Sequence, residues 1–98
     1  MRDIRDMIRE TNMRDRDEIE ATEERIREIL REEADYVRDL AKVCEQSAEM
    51  LLSAVEHSDI KTAQRMCDYL VREANNLITE GIKLRRDMEE CQYFMEAC

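Results

Sequence analysis

Residues 60–98 read IKTAQRMCDYLVREANNLITEGIKLRRDMEECQYFMEAC. Steps of three and four from Ile60 meet Ala63, Cys67, Leu70, Ala74, Leu77, Gly81, Leu84, Met88, Cys91, Met95 and Cys98, with no polar interruption. Such a seam marks a helix that packs along its length against another helix. A second seam lies upstream, at Leu30, Ala34, Val37, Ala41, Cys44, Ala48, Leu51 and Val55. Between the two, Glu56-His57-Ser58-Asp59 supplies the turn: Ser58 or Asp59 can cap the second helix, and His57 suits the negative end of the first. Two seams joined by a short turn face each other. The expected fold is therefore all-α, a long antiparallel helix hairpin with its first helix over 26–56 and its second over 59–97.

Composition agrees. The 98 residues include one Gly, no Pro, no Trp and only 4% aromatics, too little turn and strand chemistry for a sheet. One small helical domain over 1–98 is expected. The acid is uneven, with net charge -7 over residues 1–57 and -2 over 58–98. From Arg9 to Arg25 only Met13, Ile19 and Ala21 are apolar, so 1–25 reads as a charged N-terminal helix or arm. Asn12 before Asp15, and Asp17 before Glu20, suit a helix start. Either a short first helix ends near Thr11 or one helix runs from the start to about residue 55, and propensity does not separate them.

At about 1.5 Å per residue the second helix spans about 60 Å and the apolar part of the first about 45 Å. The surplus at Met88, Cys91, Met95 and Cys98 needs a cover. Either Ile4, Met7 and Ile8 fold back onto it or a second chain does, and a homodimeric helical bundle with those four residues as its oligomer seam is expected. Small residues on both seams let the helices approach closely. Gly81 costs about 1 kcal/mol against Ala, which a close neighbour or a bend would justify.

A net charge of -9 repels nucleic acid and anionic membranes, so direct nucleic-acid binding is disfavoured. No apolar run reaches the roughly 18 residues of a membrane span, and the start lacks a signal-peptide core, so no membrane insertion and a cytoplasmic location are expected. Enzyme chemistry finds no footing. The one histidine, His57, has Ala54 three residues before it, so a di-iron Glu-x-x-His pair is missing. Cys-x-x-Cys and Gly-rich phosphate loops are also missing. The cysteines read as small hydrophobes on the seams. Their sharper reading, Cu(I) held with Met66, Met88 and Met95, has no repeated Cys spacing behind it. No cofactor is expected, with one metal candidate: Asp35 and Asp39, one turn apart on one helix face, suit a hard cation or an Arg-rich partner. Glu20, Glu24, Glu28 and Glu32 form a ladder at four-residue steps. With Asp35 and Asp39 it is either a solvated acidic face or a docking strip for a protein partner of unknown identity.

The run Leu40-x-x-Val43 through Ala48-Glu49-Met50-Leu51-Leu52-Ser53-Ala54-Val55, then Asp59, Ala63 and Asn75-Asn76-Leu77, resembles the helix hairpin of PhoU-like phosphate-uptake regulators over residues 37–85. The resemblance implies a regulatory protein that binds transporter or kinase partners. Asp35-Tyr36-Val37-Arg38-Asp39 is similar to that family's acidic metal-binding motif, which there sits on a separate helix after the hairpin, and the family has two repeats where this chain has one. Two other classes stay open. One is an acidic inhibitor of the phage anti-defence type, which mimics nucleic-acid charge. The other is a self-assembling structural helical module.

Overall fold

The structure, a computed structural model, describes residues 3–97. Three helices follow in order: α1, Ile4–Glu10, α2, Arg16–Glu56, and α3, Ile60–Ala97. Of the two N-terminal arrangements left open by the sequence, the short first helix is the one found.

Local hydrogen bonds explain the break. Thr11 leaves the helix with extended backbone, φ -73° and ψ 130°. The Asn12 side-chain oxygen then accepts the Arg14 N–H at 3.0 Å, and the Asn12 carbonyl accepts the Asp15 N–H at 3.0 Å. The Asp15 carboxylate accepts the N–H groups of Asp17 and Glu18 at 3.1 and 3.4 Å, which caps α2. α2 therefore starts at Arg16, ahead of the expected residue 26, and residues 16–25 are hairpin helix rather than arm. The cap stands upstream because Asp15, not Asp17, has free N–H groups two and three residues ahead of it.

The turn falls where the sequence puts it. The Asp59 N–H reaches the Ala54 carbonyl at 2.9 Å and the Ser58 N–H the Val55 carbonyl at 3.0 Å, with Ser58 left-handed at φ 57°. This is a Schellman ending with serine where glycine is usual, at a cost of about 1 kcal/mol. Asp59 is the cap of α3: it accepts the Thr62 N–H at 3.2 Å and the Thr62 hydroxyl at 2.7 Å. Ser58 shapes the turn instead.

The packed face of α2 differs from the expected seam at alternate positions from Ala34 onward. Its covered and half-covered residues are Ile19, Thr22, Glu23, Ile26, Ile29, Leu30, Glu33, Val37, Leu40, Cys44, Ser47, Leu51 and Ala54. Leu30, Val37, Cys44 and Leu51 were expected. Ala34, Ala41, Ala48 and Val55 are exposed, and their places are taken by Glu33, Leu40, Ser47 and Ala54. On α3, Ala63, Leu70, Ala74, Leu77, Gly81, Leu84, Cys91 and Met95 hold as covered or half-covered, whereas Ile60, Cys67 and Met88 are exposed and Met66, Glu73, Glu80, Asp87 and Phe94 are covered or half-covered in addition. A heptad leaves two phases from one anchor, Val37→Leu40 or Val37→Ala41. The phase with no polar residue is the one the fold rejects. Ser47 is tolerated inside because its hydroxyl donates to Glu73 Oε2 at 2.9 Å.

Packing divides the chain into two units, Met1–Ala34 with Ile82–Cys98, and Asp35–Gly81. In the first, α1 lies against both long helices around a core of Ile4, Met7, Ile26, Cys91 and Phe94, with Ile8, Ile19, Ile29, Leu30 and Met95 packed against it. Seven residues do not hold a helix alone in water. Burial of Ile4 and Met7, about 1.5–3 kcal/mol each, stabilises α1 in place. A buried hydroxyl pair adds to this. Thr11 donates to the Met7 carbonyl at 2.7 Å, so the 2.6 Å contact of its Oγ1 with Thr22 is donated by Thr22. Arg5 also bonds Glu90 Oε1 at 3.0 Å.

In Asp35–Gly81 the two long helices run antiparallel through the turn with no third helix. Its buried side chains are few: Ala54, Ala63, Met66 and Ser47.

Candidate interaction surface

Of the four residues expected to meet a second chain, two are engaged within this one. Cys91 is in the core, its Sγ 3.5 Å from the Met88 carbonyl, and Met95 packs against that core. Met88 is exposed, and Cys98 lies outside the described residues. It is α1 that covers the surplus of α3. Fold-back of Ile4 and Met7 satisfies the length mismatch within one chain.

The acidic strip is exposed but partly neutralised. Glu20 pairs with Arg16 at 3.8 Å and Glu24 with Arg27 at 3.0 Å. Asp35 and Asp39 share Arg38, at 3.5 and 3.8 Å, so a guanidinium occupies the place a cation would take. Among the described residues, Glu28 and Glu32 are the two members of the strip without an ion pair.

The acidic grouping that the structure does bring together is Asp3, Asp87 and Glu90, whose carboxylate oxygens lie within 4.8 Å of one another. These three could hold a hard cation. Arg5 already takes one Glu90 oxygen, and the other, Oε2, is buried without a hydrogen bond. The cluster borders a hollow of about 580 Å³ lined by Asp3, Ile4, Ile29, Glu32, Glu33, Lys83 and Asp87. No sequence spacing announces this grouping, because it joins the start of α1 to the last turns of α3.

Cys44, Cys67 and Cys91 are free thiols. Burial pushes the Cys91 thiol above its ordinary pKa, and the neighbouring Asp87 and Glu90 charges push the same way. Cys67 is exposed and off the packed face. His57 is used locally, its Nδ1 lying 2.7 Å from the Ser53 carbonyl. Gly81 has open space where a Cβ would point, so no neighbour within the chain requires its small size.

The largest feature is apolar. Of the exposed large hydrophobic residues, Tyr36, Val43, Met50, Leu52, Val55, Ile60, Tyr69, Val71 and Ile78 belong to Asp35–Gly81, and only Met13, Ile82, Met88 and Tyr93 to the other unit. Tyr36, Val43, Met50 and Tyr69 each stand one residue before a packed position, on one flank, and the rest stand on the other. Within Asp35–Gly81, counting one residue past each packed position gives Arg38, Ala41, Glu45, Ala48, Leu52 and Val55 on α2, and Gln64, Cys67, Val71, Ala74, Ile78 and Gly81 on α3. In an antiparallel pair these two flanks rise on the same side. The side so formed is largely aliphatic, with Arg38 and Glu45 the charges among those positions, in a chain that is 42% charged. The opposite flank of α3, with Thr62, Arg65, Tyr69, Arg72, Asn76 and Thr79, is polar. Within it Arg72 stacks over the Tyr69 ring at 5.8 Å.

No family model matches the chain, and no curated protein or solved structure matches it significantly. Among the described residues, no helix is long and apolar enough to cross a membrane.

Proposed function

We propose that the chain is a non-enzymatic helical interaction module that works through the aliphatic face of Asp35–Gly81. One observation carries the reading: Leu52, Val55, Ile60, Val71 and Ile78 are each between 54 and 62% exposed on one side of a two-helix unit. Contiguous apolar surface of that kind marks a docking site. A PhoU-like regulatory role is one form such a module takes. Its support is the residue pattern of the hairpin, with Asp59 at the turn.

A second reading rests on Glu28 and Glu32. Unpaired by any Arg or Lys in the described residues, they are the part of the acidic strip best suited to mimic phosphates before a nucleic-acid-binding enzyme. A photo-crosslinking amino acid placed at Val71 in one version and at Glu28 in another, each in the expressing cell, separates the two. Adducts at Val71 support the aliphatic face. Adducts at Glu28 with none at Val71 would give the charge mimic precedence.

A further inference from the structure

We infer that the aliphatic face of Asp35–Gly81 is covered by a second copy of the chain, packed face to face as a two-fold four-helix arrangement; this rests on the reading of that face as the docking surface. Three observations select this occupant.

The first is charge. A chain of net charge -9 repels its own copy wherever acid meets acid, so two copies can close only where acid is sparse. Positions 38 to 55 and 60 to 78 on this face carry a single carboxylate, Glu45, which lies between Arg38 and Leu52 on one stripe of α2. A basic peptide or a nucleic acid would find little here to pair with. A largely aliphatic surface calls for another, and homodimer interfaces are the apolar, charge-depleted kind.

The second is shape. The α2 half of the face is small at Ala41 and Ala48 and bulky at Leu52 and Val55, and the α3 half is bulky at Ile60, Val71 and Ile78 and small at Cys67 and Ala74. A two-fold axis lays the α3 of each copy on the α2 of the other. Bulky side chains then meet small ones twice over, as an isologous contact demands.

The third is size. Covering Leu52, Val55, Ile60, Val71 and Ile78 removes roughly 500 Å² per copy, or roughly 1,000 Å² for the pair before Ala41, Ala48 and Cys67 are added, which reaches the range of specific interfaces. Burial of this kind completes a four-helix core, the usual answer to a hairpin with one unpaired apolar side.

Sedimentation equilibrium of the full chain under reducing conditions tests the inference. The wild type is expected to be a dimer at micromolar concentration. Val71→Glu with Ile78→Glu places like charges across the axis and is expected to raise the dissociation constant at least about a hundredfold with helicity unchanged. A monomeric wild type up to about 100 µM overturns the inference, as does a double variant that stays dimeric and helical. A measurement without substitutions guards against a misfolded variant. The rate at which a maleimide labels Cys67, read by peptide mass, is expected to fall about tenfold or more from dilute to concentrated wild type. Unchanged labelling overturns the inference. The photo-crosslink at Val71 keeps the two readings apart: adducts of a mass other than twice the chain reject the second copy and retain the docking face, whereas no adducts at Val71 reject the face itself.

Discussion

The same two helices build two unlike units. Between Ala34 and the start of the chain, and again beyond Ile82, α2 and α3 share their apolar faces with α1, and Ile26 is sealed completely. Between Asp35 and Gly81 they have only each other. This second unit contains more exposed large aliphatic side chains than the first, yet its buried positions are an alanine pair, a serine and Met66. Apolar content therefore does not set the size of a core. Two cylinders touch along one line and leave flanks open on both sides, whereas a third laid into the groove encloses what the pair leaves bare. With only seven residues, α1 suffices for one groove.

The comparison breaks first at Ile26. Ile26→Ala is expected to lower stability by about 3–4 kcal/mol, because it empties a sealed site. Ile78→Ala, at concentrations where copies are apart, is expected to cost under about 0.5 kcal/mol. Urea titration of both variants checks the contrast, and equal losses would mean that the two units are packed alike. The next largest effect lies at the turn. Ser58→Gly relieves a left-handed serine and is expected to raise stability by about 0.5–1 kcal/mol, read by the same titration. A smaller signature is chemical: at neutral pH Cys67 is expected to react with a thiol reagent well before Cys91, whose thiol is sealed and shifted toward its protonated form. Peptide mass spectrometry after timed labelling decides it, and equal rates would place Cys91 outside the core.

The smallest effect concerns acid. The Thr62 hydroxyl and N–H hold the Asp59 carboxyl below its ordinary pKa. A depressed pKa stabilises the fold above the unfolded value of about 4 and is lost as pH falls through the folded value. Asp59→Asn is therefore expected to flatten the acid limb of the stability curve, measured by thermal melts at stepped pH. A limb unchanged by the substitution would show that other carboxylates set it.

The hairpin was legible because turn chemistry is local: Glu56-His57-Ser58-Asp59 carries its caps within four residues. Val37, Cys44 and Leu51 were legible too, being common to both phases of the heptad. The alternate positions were not, because the phase through Ala41 and Ala48 carries no polar residue, whereas the one through Leu40 carries Glu33 and Ser47, and no partner for a serine is in view. That partner, Glu73, sits on the other helix. Leu52, Val71 and Ile78 lie outside the expected seam and are uncovered, as a two-helix seam would leave them; Val55, Ile60 and Cys67, which the seam was expected to hold, stand beside it. The acidic cluster of Asp3, Asp87 and Glu90 was illegible for a stronger reason, as it is assembled by tertiary packing alone.

The core around Ile26 draws on both arms of a long loop in the chain, Ile4 and Met7 on one and Cys91 and Phe94 on the other. As the polypeptide emerges during synthesis, Asp35–Gly81 has every residue it needs once Gly81 is out. Ile4, Met7 and Ile26 wait, uncovered, until Phe94 follows. α1 is thus made before the hairpin turn and packed after it, so that over these residues order of folding runs against order of manufacture. A chaperone meeting the nascent chain would find Ile4 and Met7 still unclaimed while the hairpin turn downstream is already closed.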